Sequence, residues 1–271
     1  MKHLGWVLAC IICLILGGVL VVVTPLNVLF ANPITTKVQN RQPLIFVPGS
    51  SGTQDTYDGM LKKLNQGTKK HSILKITIKN NGQWQSNGRI IKNDRQPLIV
   101  VAFENNQDGD DNIAAETKLF KTAIRQLERR YAFQTFRGVG YSNGGLVLTQ
   151  FAEQAANRAD LKRLLTIGAP FNGLNQRADD QSPMLKSLLA KRQQLPPTLT
   201  VFSVGNAVKA DDDGVVPMES INAGRQIFMN QVAHFTTFML NDPQAEHAAL
   251  IDNQKIIKFV AETMLKAQTP I

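Results

Sequence analysis

Charge is missing from the start of this 271-residue chain: from Leu4 to Thr36 there is no Asp, Glu, Lys or Arg, and Leu4 to Val23 is almost entirely apolar. As a helix that run would be roughly 30 Å long, the thickness of a bilayer's hydrocarbon core. Cysteine is nearly as scarce, and both copies, Cys10 and Cys13, lie inside the apolar run. The rest of the chain therefore has neither a disulfide to hold it nor a thiol to react, and its chemistry must come from other side chains.

Two readings of the apolar run compete. Lys2 could serve as a minimal basic region before a cleaved signal, with Ala31 as the cleavage residue, but Leu29 is too large for the minus-three position of such a site. Cys10 and Cys13 have no hydrophobic stretch ahead of them, which argues against a lipidated terminus. An uncleaved anchor over residues 1–30 is the favoured reading, and secretion after cleavage is the alternative. With the positive end kept in the cytoplasm, the domain would lie outside. Residues 31–42 read as a polar linker containing Pro33, and 43–271 as one domain, since no shift of composition divides them.

The net charge of +9 would draw the chain toward anionic surfaces such as phospholipid headgroups or acidic cell-envelope polymers. Lys and Arg are dispersed, however, so the charge reads as a solvated surface. No nucleic-acid module is visible. An acidic loop, Asp108 to Asp111, lacks the glutamate that a calcium loop needs and reads as a solvated helix start.

Strand and helix patterns alternate along the domain. Leu44–Val47, Leu98–Phe103, Thr135–Val139, Leu161–Ile167, Leu199–Val204 and Arg225–Met229 read as strands. Leu74, Ile76 and Ile78 alternate before the turn signals Asn80-Asn81-Gly82 and Asn87-Gly88, and Ile90-Ile91 resumes the pattern, which predicts a surface β-hairpin insertion. Helices are predicted from about Ile113 to Tyr131, from Gly144 to Asn157 and after His247. Ser182-Pro183 is an N-cap and N1 pair opening a small cap helix. The pattern predicts an α/β fold, a mostly parallel sheet with helices on both faces, and such sheets hold their sites beyond the strands' carboxyl ends.

One junction stands out. Phe136 to Val147, FRGVGYSNGGLV, runs from a strand through Gly-x-Ser-x-Gly into a helix. A strained strand-to-helix turn of this kind exposes a serine hydroxyl, which makes Ser142 a candidate nucleophile. A serine needs a histidine to take its proton and a carboxylate to orient that histidine. Of the histidines after Ser142, His247 opens a helical pattern a loop's length past the final strand, whereas His234 follows the strand directly among Val232, Phe235 and Phe238, as a core histidine would. Asp213 precedes Gly214-Val215-Val216-Pro217 and is the first choice of acid, with Asp212 second. For the oxyanion, the backbone N–H of Asn143 is one candidate donor and that of Ser50 or Ser51, in the turn after the first strand, the other.

Taken together, IFVPGSSGT at Ile45 to Thr53, the hairpin, VGYSNGG at Val139 to Gly145, TIGAPFNG at Thr166 to Gly173, DGVVP at Asp213 to Pro217 and EHAALIDN at Glu246 to Asn253 give the chain its likeness. It resembles the α/β-hydrolases, and within them the cell-surface hydrolase family of lactic acid and related Gram-positive bacteria. The resemblance implies an α/β-hydrolase fold and a triad of Ser142, Asp213 and His247. Pro48 stands where a histidine commonly precedes the oxyanion glycine, and Tyr141 where a histidine often precedes the nucleophile. The expected function is an extracytoplasmic serine hydrolase of acyl esters, less readily amides, acting through an acyl-enzyme with no metal and no cofactor. A non-catalytic cell-surface binding module and an acyltransferase using the same triad are the alternatives.

Overall fold

The computed structural model describes residues 41–67, 70–154, 160–175, 177, 179–208 and 211–266. The predicted anchor and all but the end of the predicted linker lie outside the described residues. Arg41 and Gln42 are already tied to the domain, Arg41 Nε donating to the Asp94 carbonyl at 2.9 Å and the Gln42 N–H to the Arg95 carbonyl at 2.8 Å.

Eight strands form one sheet: β1 (Leu44–Val47), β2 (Ile73–Ile78), β3 (Trp84–Gly88), β4 (Leu98–Phe103), β5 (Thr135–Tyr141), β6 (Asp160–Ile167), β7 (Thr200–Asn206) and β8 (His234–Leu240). Their spatial order is β3-β2-β4-β1-β5-β6-β7-β8, and every pairing but β2 with β3 is parallel. Because parallel strands are covered on both faces, the central ones read as unbroken apolar runs; LIFV in β1 and LIVVAF in β4 are buried throughout. The chain enters at β1 in the middle of the sheet, winds outward on one side, returns through β4 and continues on the other side from β5. That reversal opens a crevice at the carboxyl ends of β1 and β5.

Alternate residues of β1 divide the core in two. Ile45 and Val47 face one layer with Phe120, Phe136 and Phe151, supplied by β5 and by the helices α2 (Asp110–Tyr131) and α3 (Asn143–Ala152). Leu44 and Phe46 face the other layer, with Met60 and Leu61 of α1 (Asp58–Leu64) and Ile256, Ile257 and Val260 of a late helix, Gln254–Val260. The helix α2 is well specified: acids Asp110 and Asp111 open its first turn, Arg129 and Arg130 close its last, and Ala132 ends it in a left-handed conformation. The cap helix α4 (Pro183–Lys191) forms as the sequence predicts, with the Ser182 hydroxyl accepting from the Leu185 N–H at 3.1 Å.

Four expectations need correction. Arg225–Met229 is not a strand: after α5 (Met218–Asn222), the helix α6 (Gly224–Phe228) turns Ile227 and Phe228 inward, two polar residues followed by apolar ones having no true alternation. The last strand is β8, whose side chains are mostly half exposed because it lies at the sheet edge. The hairpin is more than a surface insertion, since β2 pairs in parallel with β4 and only β3 is an edge, while Asn87-Gly88 ends β3 and Ile91 lies exposed beyond it. The segment after Glu246 begins as a 3-10 turn, His247–Asp252, and becomes α7 (Gln254–Val260) only after Asn253 caps it, accepting from the Lys255 and Ile256 N–H groups.

Two carboxyls in the first layer are buried. Glu116 on α2 is pushed up to about 8 by burial, although its Oε1 accepts from Asn112 Nδ2 at 3.2 Å; Glu153 is likewise pushed up to about 8 by burial. Both titrate near 4.5 when exposed, so between about 4.5 and 8 the folded chain holds protons that the unfolded chain has released. Stability therefore falls as pH rises through that window. Glu116→Gln keeps the acceptor for Asn112 and is expected to flatten the slope of unfolding free energy between pH 5 and pH 8 in urea titrations. A slope equal to that of the wild type would refute the assignment.

Candidate active site

Ser142 sits where β5 passes into α3, with φ 52° and ψ −129°. A residue with a Cβ takes that conformation only when its surroundings over-determine it. Two bonds do so here: its N–H donates to the Ile167 carbonyl at the end of β6 (2.8 Å), and its carbonyl accepts from the Gly145 N–H (2.9 Å). The flanking glycines answer a steric demand. A Cβ on Gly144 would lie 2.1 Å from the Val47 carbonyl oxygen, and one on Gly140 would lie 2.5 Å from the Gly144 carbonyl oxygen. The end of β1, the end of β5 and the first turn of α3 thus meet backbone against backbone, and Ser142 is pushed out at the crossing.

Of the three consecutive aspartates, Asp213 is the one brought to a histidine. It is fully buried, its Oδ1 accepting the N–H groups of Val215 (3.1 Å) and Val216 (2.7 Å), and its Oδ2 lies 2.7 Å from His247 Nδ1. The His247 N–H donates to the Asp213 carbonyl at 2.7 Å, so main chain and side chain hold the two residues together. Asp212 turns away and accepts from the Gly214 N–H, while Asp211 is exposed. His234 opens β8 opposite Thr200, at the amino ends of the parallel strands, and is exposed there. It therefore stands at the wrong edge of the sheet to meet Ser142, and it is not a core histidine.

Tyr141, the residue before the serine, stacks obliquely on His247, ring centroids 5.1 Å apart at 33°, and its hydroxyl donates to the His247 carbonyl at 3.2 Å. Burial, and then the nearby Asp213 carboxylate, push the phenol up to about 12, so it stays a neutral donor. Beneath it Tyr57 is fully buried, with its hydroxyl donating to the Val47 carbonyl at 3.0 Å. Sequence reasoning registered Tyr141 only as a departure from a family pattern; its position next to the serine was the available signal for this packing.

The candidate oxyanion donors can also be sorted. The Ser51 N–H is committed to the Asn106 carbonyl at 2.7 Å, which leaves Ser50 as the candidate of that turn. Asn143 is the first residue of α3, where N–H groups have no intrahelical acceptor and the helix dipole favours negative charge. Ser50, Ser142, Asn143 and His247 all line one cavity of about 410 Å³. Its other walls are mostly apolar, including Ile113, Leu146, Pro170, Met184 and Val216, and exposed Leu174 and Val215 stand at its border. A hollow of about 510 Å³ between Phe151 and Gln193–Pro197 is larger but has no serine, histidine or cysteine among the described residues of its lining. Among the described residues, no three or more His, Cys, Asp or Glu side chains gather as a metal site requires.

The sequence from residue 31 to residue 267 matches the model of a family described as alpha/beta hydrolases of unknown function, DUF915. The chain belongs to that family. A crystal structure from Lactobacillus plantarum WCFS1, provisionally named a cell surface hydrolase, superposes with a TM-score of 0.77 at 35% identity, covering 85% of this chain and 94% of that one. A gene product of Listeria innocua gives a TM-score of 0.77 at 27% identity over 84% of this chain and 96% of its own. The mature Bacillus licheniformis lipase BlEst2, at 14% identity and a TM-score of 0.52 over 86% of this chain and 96% of that one, shares the fold. No protein of curated function matches the sequence. The eight-stranded sheet is thus an α/β-hydrolase fold, and the chain is a hydrolase by family.

The crossing at the serine makes a specific demand on stability. Gly144→Ala is expected to cost about 1–3 kcal/mol or more, because backbone rather than a movable side chain meets the new methyl. Gly67→Ala, with nothing within 4 Å of the added Cβ, is expected to stay within about 0.5 kcal/mol of the wild type. Urea unfolding midpoints check both, and equal midpoints would mean that the contact is not a constraint.

Proposed function

We propose that this chain is a serine hydrolase that cleaves acyl esters, and amides less readily, through an acyl-enzyme. The observation that carries the reading is the 2.7 Å pair of His247 Nδ1 and buried Asp213 Oδ2, with His247 lining the same cavity as Ser142. A carboxylate on Nδ1 fixes the histidine tautomer that bears its proton there and leaves Nε2 as the base. Ser142 Oγ attacks the acyl carbon as His247 Nε2 takes its proton. The negative charge that develops on the acyl oxygen is met by the N–H groups of Ser50 and Asn143. Collapse of the tetrahedral adduct breaks the bond to the alcohol, which leaves with the proton from His247. Water, activated by the same histidine, then releases the acid.

The walls of the cavity favour an apolar acyl group. Leu146, Met184 and Val216 line it, and Leu174 and Val215, 64% and 57% exposed, extend the apolar surface to the rim. We further propose that the domain works outside the cytoplasm on an N-terminal membrane anchor. The uncharged run before Lys37 supports this, as does the name of the Lactobacillus relative. Among the described residues no helix is long and apolar enough to cross a membrane, and the uncharged run lies outside them.

A fluorophosphonate probe is expected to label the full chain, and Ser142→Ala to abolish both the labelling and the turnover of p-nitrophenyl esters. The expected loss in kcat is on the order of 10⁴- to 10⁶-fold. Labelling that survives Ser142→Ala would refute the nucleophile. Across p-nitrophenyl acetate, butyrate, octanoate and palmitate, kcat/KM is expected to rise beyond acetate; a flat profile would refute an acyl-binding role for the apolar walls. Adding an alcohol acceptor to the same assay separates transfer from hydrolysis by product.

A further inference from the structure

The Asn143 side chain has no role in the mechanism above, which uses only its main-chain N–H, yet it is one of the best-held groups in the site. It is 6% exposed, and Nδ2 donates to Ser50 Oγ and to Asp108 Oδ1, each at 2.6 Å. An amide nitrogen carries two hydrogens, so both donors are spent on these partners. One partner belongs to the turn after β1 that supplies the second candidate oxyanion donor. The other belongs to the acidic loop between β4 and α2, which the sequence alone left as a solvated helix start.

The same two loops are joined by main chain as well. The Ser51 N–H donates to the Asn106 carbonyl at 2.7 Å, and Asn106 Nδ2 donates to the Gly52 carbonyl at 2.9 Å. Asp108 is itself fixed, because its Oδ1 also accepts the Gly109 N–H at 2.9 Å and it stands just ahead of the first turn of the 22-residue α2. A carboxylate there is stabilised by the helix dipole. The acidic loop, though exposed, therefore offers a charged acceptor to the side chain of the residue that follows Ser142. The line runs from the α2 terminus through Asp108 and Asn143 to Ser50.

We propose that Asp108 is a positioning residue that acts through the Asn143 side chain to hold the Ser50 turn at the spacing oxyanion stabilisation requires. The proposal rests on the serine-hydrolase reading, since its effect is on turnover. An oxyanion donor matters only where charge develops, so a displaced Ser50 N–H lowers kcat while leaving ground-state binding nearly intact.

The test uses the purified full chain and p-nitrophenyl butyrate. Asn143→Ala leaves the main-chain N–H in place but removes the brace. Asp108→Ser keeps a short polar group at the start of α2 yet falls short of Asn143. Each is expected to lower kcat about 10- to 100-fold with KM changed less than about threefold. Combined, they are expected to lie within about threefold of the worse single variant, because both break one line of contacts. Asp108→Asn retains an acceptor oxygen and is expected to stay within about threefold of wild-type kcat. Melting temperatures identify any variant that fails to fold, and Asp108→Ala stands in for Asp108→Ser in that case. Wild-type kcat in Asp108→Ser, multiplicative losses in the double variant, or a loss in Asp108→Asn equal to that in Asp108→Ser would each overturn the brace while leaving the hydrolase reading intact. Wild-type turnover unaffected by Ser142→Ala would overturn both.

Discussion

The site depends on one close approach: the Cα of Gly144 lies under the carbonyl of Val47, so near that even a methyl group would fall 2.1 Å from the oxygen. That contact sets the distance between the end of β1 and the start of α3. Ser142 and Asn143 are carried by one side of it and the Ser50 turn by the other. Electrostatic stabilisation of a developing oxyanion needs donors already in place before the charge appears. A backbone contact provides such placement more rigidly than side chains could, because it leaves no rotamer to adjust. The Val47 carbonyl is tied from below by the Tyr57 hydroxyl, and Tyr141, on the strand leading to the serine, packs against His247. Ser142, His247 and the candidate oxyanion turn therefore share one frame.

Much of that frame was legible in the sequence because its demands are steric. Only glycine fits at positions 140 and 144, and strands buried on both faces must be apolar throughout, as β1 and β4 are. Ser142, Asp213 and His247 were read as candidates from their motifs along the chain, although the last strand was misplaced. The choice among Asp211, Asp212 and Asp213 could be ranked but not explained, because it depends on which carboxylate turns inward to the N–H groups of Val215 and Val216, and the tripeptide is chemically uniform.

The misread elements lie where local pattern and tertiary setting disagree. Ile227 and Phe228 looked like a strand because they are apolar, but both are buried from a short helix, Phe228 against Phe171 and Phe235. The true last strand, HFTTFML, is rich in β-branched and aromatic residues but sits at an edge, where one neighbour and partial exposure weaken the apolar signal. The continuous helical pattern after Glu246 hid a break at Asn253. That break has a consequence for the site: a 3-10 turn at His247–Asp252 lets the His247 N–H reach the Asp213 carbonyl while its ring meets the carboxylate.

A carboxylate near candidate oxyanion donors carries a cost, since like charges repel, and the more so the less water screens them. Asp108 and Asp110 both line the cavity, and Asp110 is raised by burial and by its acidic neighbours, as expected where negative potential accumulates. Asp108 is solvent-exposed, and its Oδ1 accepts the Gly109 N–H just ahead of the N-terminal end of α2, where a carboxylate is favoured. The Asn143 amide stands between it and Ser50, with both hydrogens committed, so the carboxylate reaches the Ser50 turn as a hydrogen-bond acceptor for the brace rather than as a bare charge. Such an arrangement makes sense only if fixing the turn is worth more to the site than the repulsion it brings. The Asn143 amide meets both demands through the two hydrogen bonds of its Nδ2.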